Sequence, residues 1–273
     1  MRGASAPAGS DGSTAGQKVR QVELHRHVAG NYRLRYDAAP SIVFQRFWNA
    51  EILSLLPDPI PSPVLDNGCG AGILLCDLAA RCDTVYGLDL SAEMLEQARH
   101  RAPEVDLREG DLENLPYPDG FFATVVCRGS LHHVPSRQDA VAEINRVLSP
   151  GGMLVMTEPS NEFFLVRWAR GLLYRCSSKF DQGDRGFTRR EIEQLLRGVG
   201  LEPVVFKRFG YLSYLISGFP DVLPLILYIP GNVLLTRTLI RIDRFLSKVP
   251  GLNICSFHLI GLARKPSVAD QRS

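Results

Sequence analysis

The chain has 273 residues, 45% hydrophobic and 22% charged, the balance of a globular protein with a substantial core. Its 31 basic and 29 acidic residues leave a net charge of +2, without the basic excess of a dedicated nucleic-acid binder. No uncharged apolar run reaches the roughly 18–20 residues of a membrane-spanning helix, and no apolar stretch follows Arg2 as a secretory signal requires.

Residues 1–18 are small, polar and rich in Gly, Ala and Ser. They bury too little apolar area to offset their ordering entropy, which predicts a disordered tail. Residues 19–273 read as one domain, with a cofactor core over about 60–160. A helix is expected from the twenties to the fifties, ending before the prolines of PDPIPSP. Val64 and Leu65 then begin a short strand that ends in Asp66 and a glycine turn, followed by a helix at about 73–81. TVYGLDL is a second strand, and Ser91 caps a helix running to Arg101. EVDLREGD and FATVVCRG are the third and fourth strands. A helix from about Arg137 to Leu148 stops at Ser149-Pro150-Gly151-Gly152, and MLVMTEP is the fifth strand. NEFFLVRWARGLLYRC is an amphipathic helix and SSKFDQGDRG a loop. Thr188 and Glu191 form a capping box for the next helix. LEPVVFKRFG and NICSFHLIGLARK complete the strands, with an apolar, proline-punctuated insertion at about 210–253 between them. Strands alternating with helices predict parallel βαβ units with right-handed crossovers, hence a doubly wound α/β sheet.

Three motifs fall in order along this framework. Asp66, Gly68, Gly70 and Gly72 lie between a strand and a helix. Glycines there allow a sharp turn and close ligand approach, and the helix N-terminus offers free N–H groups. Asp89, followed by Leu90, ends the second strand, where an acid can accept ribose hydroxyls. Asp111 and Leu112 follow the third, a carboxylate for an amine beside an apolar residue for a ring face. A nicotinamide dehydrogenase is disfavoured by the G-x-G-x-G spacing and by Asp66, which would repel a pyrophosphate.

Together VLDNGCGAG, GLDLS, EGDLENLPYPDGFFATVV and RVLSPGGMLVMTEP resemble the class I S-adenosylmethionine methyltransferases over about Val64–Pro159. The resemblance implies a seven-stranded Rossmann-like sheet with strand seven antiparallel between strands five and six, and the 210–253 insertion as a helical cap. It implies S-adenosylmethionine as cofactor: Asp66 and the glycines at the methionine end, Asp89 and Leu90 at the ribose, Asp111 and Leu112 at the adenine. Arg128, Gly129 and Ser130 would line the pocket near the sulfonium, and Tyr32 would contact the cofactor from an N-terminal lid.

His132 and His133 follow strand four, at the carboxyl edge where α/β ligands bind. Either could deprotonate a hydroxyl, or one could pack against the sheet and orient the loop. Related methyltransferases often carry a glutamate at the first position. His25, His27 and His258 lack metal-ligand spacing, so no metal is expected. Cys69, Cys76 and Cys127 fall within apolar patterns and, with no C-x-x-C pair, read as buried free thiols of a cytoplasmic protein. CRGSLHHV stands where adenine-N6 and glutamine-N5 methyltransferases carry an asparagine-proline-proline-aromatic motif, and the paired glutamates of arginine methyltransferases are missing. No cysteine cluster points to arsenite. A small acceptor is expected instead, with a core most similar to the ubiquinone/menaquinone-biosynthesis type and O-methylation as the reaction. N- or C-methylation, or a cofactor-binding protein without turnover, are the alternatives. The insertion's apolar run favours a hydrophobic acceptor such as a quinone, lipid or polyketide. Within it, Arg237, Arg241, Arg244 and Lys248 form one helical stripe, and Leu235, Leu239, Ile242 and Leu246 another. That amphipathic pattern predicts either a lid packed by its apolar side or peripheral membrane contact through 210–248.

Overall fold

The computed structural model describes residues 36–176, 185–218, 220 and 224–267, together with Gly16 and Lys18. Helix α1 (Ala39–Leu53) leads into β1 (Val64–Asn67), α2 (Leu75–Ala79), β2 (Val85–Asp89), α3 (Ala92–Arg101), β3 (Asp106–Glu109) and β4 (Phe122–Arg128). Then come α4 (Arg137–Val147), β5 (Leu148–Pro159), α5 (Phe164–Cys176), α6 (Arg189–Gly198) and β6 (Glu202–Phe209). Helices α7 (Leu212–Ser217) and α8 (Asn232–Leu246), with two 3₁₀ turns (Pro224–Tyr228 and Leu252–Cys255), precede β7 (His258–Arg264).

The seven strands lie in the order β3-β2-β1-β4-β5-β7-β6, all parallel except β7, which runs antiparallel between β5 and β6. Central strands are apolar on both sides because both faces are covered. Val64, Val126, Val155 and Ile260 point to one core with α1, α2 and α3, while Leu65, Val125, Leu154 and Leu259 point to the other with α4 and α6. The strand order reverses between β1 and β4, the place where open α/β sheets bind ligands. Ser91 Oγ accepts the Met94 N–H at 3.3 Å, and the expected Thr188–Glu191 capping box is present.

Some boundaries differ from the sequence reading. The second helix is only Leu75–Ala79. Helix α4 ends at Val147, because Leu148 turns extended and pairs with Phe122, so β5 starts before the Pro-Gly-Gly turn rather than after it. Cys76 is exposed rather than buried, its thiol donating to the Arg101 carbonyl. In α8 the buried residues are Thr236, Leu239, Ile240 and Asp243, and Ile242 is exposed. Asp243 sets that rotation: its carboxylate accepts the N–H groups of Tyr211 and Leu212 and the Ser213 hydroxyl, capping the short α7. Thr236 meets Ser217 hydroxyl to hydroxyl at 2.9 Å.

The strand ends align the functional elements. Pro159, His258 and Phe209 stand side by side on β5, β7 and β6 at the carboxyl edge. The segments following β5 and β6 therefore leave the sheet from adjacent points on the edge that carries the candidate site.

Candidate active site

Asp66 is the penultimate residue of β1, in the middle of the sheet, and is almost fully buried. Burial pushes its carboxyl up to about 7, against the Arg128 guanidinium and with the help of the Asp89 charge. Among the described residues its Oδ1 has no hydrogen-bond partner, which makes it a buried acceptor at the heart of the fold. Asp89 holds the glycine loop: Oδ2 accepts the Gly70 N–H at 2.8 Å and Oδ1 the Ser91 N–H at 2.9 Å. Gly68 has φ +85°, and a Cβ there would stand 2.4 Å from the Ser130 Cβ, so only glycine lets the loop and the end of β4 approach. At Gly70 the same construction meets nothing within 4 Å, which leaves the loop open on that side. Gly72 faces α3, where a Cβ would meet the Ala98 Cα at 3.0 Å, so its small size serves helix packing.

Leu112 is buried, and its Cδ2 lies 3.7 Å from the position of a Cβ on Gly68, forming an apolar wall beside the loop. Asp111 Oδ1 accepts the Glu113 N–H at 2.9 Å, and Oδ2 lies 2.5 Å from the Lys18 ammonium, which also contacts Glu113. Gly16 and Lys18 are helical here, at the end of the segment expected to be a disordered tail. Leu90 is half-buried beside Asp89. Tyr32, His25 and His27 lie outside the described residues.

The other half of the site follows β4. Arg128 is half-buried, its guanidinium carbon 4.5 Å from the Trp48 ring and an Nη on the Gln45 amide oxygen. Burial lowers its affinity for a proton, and its Nε has no partner among the described residues. His132 Nδ1 stands 2.7 Å from Glu158 Oε2, and Oε1 of the same carboxylate accepts the Leu131 N–H at 2.9 Å. Glu158 is wholly buried, which pushes its carboxyl up to about 8 against the Leu131 hydrogen bond and the charges of His133 and Arg137. His133 stacks on His132 with ring centroids 3.9 Å apart. Beyond lies an aromatic group from three elements. Trp48 donates to Thr157 Oγ1 at 3.3 Å, and the His258 ring lies 4.8 Å from that indole. His258 Nε2 meets the Tyr214 hydroxyl at 2.9 Å, and burial drives this imidazole well toward the neutral form.

Thus Asp66, Gly68, Gly70, Asp89, Leu112 and Arg128 converge at the β1/β4 switch point, and His132 with His133 adjoins them across Ser130. Glu158, Trp48, Gln45, Tyr214 and His258 were not anticipated. For Glu158 a signal existed: an acid at the carboxyl end of an otherwise apolar strand, beside the histidine loop. Trp48, Gln45 and Tyr214 carried none, because they come from α1 and the insertion, and His258 opens β7, where the sequence showed only that it lacks metal-ligand spacing. Among the described residues no cluster has metal-ligand geometry, and no helix is long and apolar enough to cross a membrane.

The arrangement suits a ligand with an amine, a diol and a flat apolar ring. The buried Asp66 oxygen would suit an amine, the second lone pairs of Asp89 hydroxyls, and Leu112 beside Asp111 a ring. A family described as a methyltransferase domain matches residues 65–156. The chain is 31% identical over 155 residues to a demethylmenaquinone methyltransferase of Staphylococcus epidermidis, covering 54% of this chain and 64% of that protein. It is 32% identical over 163 residues to the 27-O-demethylrifamycin SV methyltransferase of Amycolatopsis mediterranei, covering 56% and 58% respectively. The chain thus spans less than two thirds of the length of these relatives. Among solved structures, a SAM-dependent methyltransferase of Thermotoga maritima, described as a possible histamine N-methyltransferase, superposes with a TM-score of 0.61 at 19% identity, over 89% of this chain and 99% of that one. At that identity the likeness concerns the fold.

Proposed function

We propose that this chain, which belongs to the class I S-adenosylmethionine-dependent methyltransferase superfamily, transfers a methyl group to a hydroxyl of a small hydrophobic acceptor. The cofactor of that superfamily, S-adenosylmethionine, supplies the methyl group in activated form on a sulfonium. The residues present fit it: Asp66 and the open glycine loop for the amino-acid end, Asp89 for the ribose, Asp111 and Leu112 for the adenine.

The observation that carries the reaction type is the Glu158–His132 pair. With Nδ1 committed to a buried carboxylate, the base role falls to Nε2. Glu158 fixes the Nδ1–H tautomer and stabilises the imidazolium that forms when Nε2 takes the acceptor's hydroxyl proton. Trp48, Tyr214 and neutral His258 give the acceptor an aromatic, weakly polar surround. The relatives named for demethylmenaquinone and 27-O-demethylrifamycin SV support quinone-like or polyketide-like acceptors. Contact of residues 210–248 with a lipid surface belongs to the same reading.

The test is to incubate a cell extract with methyl-tritiated cofactor and this protein, then identify the labelled product. An O-methylated apolar product, with turnover about 10²–10⁴-fold lower for His132→Ala at unchanged cofactor affinity, supports the proposal. An N- or C-methylated product, or full activity in that variant, refutes hydroxyl deprotonation. Cofactor binding without any labelled product refutes turnover itself.

A further inference from the structure

Eleven of the fourteen large apolar side chains that stand exposed among the described residues lie in just two stretches, 164–172 and 212–252. These are α5 and the insertion, which leave the sheet at adjacent points on its carboxyl edge, at Pro159 and Phe209. The exposed groups include Phe164 and Trp168 (67% exposed) on α5, Tyr228 (79%) in the first 3₁₀ turn, and Leu234 and Phe245 (66%) on α8. Apolar exposure this concentrated marks an interaction surface.

Charge identifies the partner. Helices α5 and α8 contain one acid between them, Asp243, and it is 2% exposed and occupied in capping α7. Arg167, Arg237, Arg241 and Arg244 are exposed on the same two helices. The carboxyl end of α8 also borders a groove of about 560 Å³ lined by Arg189, Lys207, Arg208, Arg244 and Lys248, of which Arg189, Arg208 and Arg244 pair with Glu193, Glu162 and Glu51. A second copy of this chain would bring the same cations face to face across a twofold axis. An anionic bilayer supplies both missing halves, hydrocarbon for the aromatic and aliphatic tips and phosphate for the arginines.

We infer that α5 and α8 together form a docking face for an anionic lipid surface, in the two segments that leave the sheet from the edge carrying the candidate site. This rests on the reading of a hydrophobic acceptor and extends the lipid-facing surface to α5. The aromatic tips insert at the interface, and the acceptor reaches His132 without crossing bulk water.

The chain has two tryptophans, and they report different places. Trp48 is buried in the aromatic core, whereas Trp168 stands at the centre of the α5 face. Vesicles of phosphatidylglycerol and phosphatidylcholine should shift tryptophan emission to the blue, and a brominated acyl chain should quench it. Trp168→Phe should abolish both changes, and pure phosphatidylcholine should produce neither. Arg237→Glu with Arg241→Glu should weaken vesicle partition at least about 30-fold, since each surface arginine contributes roughly fivefold. Cofactor affinity serves as the check that each variant is folded. No spectral change and no co-sedimentation with anionic vesicles overturn the inference. So does a concentration-dependent dimer that Phe245→Glu dissolves, which would make a second copy the occupant. Because these readouts involve no turnover, a water-soluble labelled product would sink the acceptor reading while leaving the vesicle result to stand or fall separately.

Discussion

Replacing Glu158 by glutamine separates the electrostatic role of this residue from its shape. The wild-type carboxylate accepts from Leu131 N–H through Oε1 and faces His132 Nδ1 through Oε2. In Glu158→Gln the amide oxygen keeps the Leu131 hydrogen bond, so the NH₂ group must point at Nδ1. An NH₂ can only donate, which forces the imidazole proton onto Nε2 and removes the base. An amide in place of the orienting carboxylate costs a serine-protease triad about 10⁴ in turnover, and general-base catalysis as a whole contributes about 10²–10⁴. A loss of roughly 10³-fold in kcat is therefore expected, with the cofactor Kd unchanged because Asp66 and Asp89 are untouched. The pH profile gives a second readout. Burial pushes the Glu158 carboxyl up to about 8, so the coupled pair sheds its last proton near that pH and wild-type kcat rises through it. The variant should lack that limb. Stability changes in a sense that simple loss of packing would not give. A carboxyl raised from the ordinary 4.5 to about 8 makes the folded state the better proton binder. Its contribution is present below 4.5 and is lost as pH rises toward 8. The Tm of Glu158→Gln relative to wild type should accordingly rise between pH 5 and pH 8. Turnover within about threefold of wild type, with the alkaline limb intact, would refute the dyad.

Two further outcomes follow from the cofactor half. Asp89→Ala removes the acceptor for both the Gly70 and Ser91 amides, and should weaken S-adenosylmethionine binding at least about tenfold by calorimetry. Asp66, raised to about 7 by burial, must ionise to meet the ligand's ammonium group. Cofactor affinity should therefore fall by up to about tenfold per pH unit below 7, with a proton released on binding. Asp66→Asn should bind weakly with no such slope, as titrations in buffers of different ionisation enthalpy would show.

The sheet was legible because its signals are local. Each parallel strand is a short apolar run bounded by a turn, and Ser91 and Thr188 mark their helices by side-chain chemistry alone. The place of the candidate cofactor residues was legible for a related reason: Asp66, Asp89 and Asp111 lie at or just past the ends of β1, β2 and β3, and parallel strands bring their ends to one edge regardless of what lies between. Where local signals competed, the reading slipped. Ser149-Pro150-Gly151-Gly152 reads as a stop after a helix, yet Leu148 is already extended because pairing with Phe122 outweighs one more helical residue. The apolar stripe assigned to α8 was rotated from the buried one. Periodicity weighs Leu and Ile, whereas the actual face is fixed by buried polar groups, Thr236 on Ser217 and Asp243 on the start of α7.

What stayed hidden shares one property: it depends on pairs far apart in the chain. Glu158 and His132 are 26 positions apart, and Trp48 and Thr157 are 109 apart. Neither member of the second pair is unusual alone, and a tryptophan in a helix or a threonine in a strand is ordinary core. Glu158 differs, because leaving a carboxylate uncompensated in a sheet interior costs several kcal/mol. An acid in that register demands a partner, and the nearest titratable groups at the same edge are the two histidines after β4. The topology then selects between them. His132 Nδ1 meets the carboxylate while His133 stacks on the first ring, so the two histidines are not equivalent and only His132 fits the proposed role of base. The substitution of a histidine where relatives often carry a glutamate thus need not remove the carboxylate from the site, since β5 supplies one from its own end. On the proposed reading, a strand acid behind an imidazole would take the place of a loop acid as the support for hydroxyl deprotonation, with activity rising as the buried Glu158 ionises near pH 8.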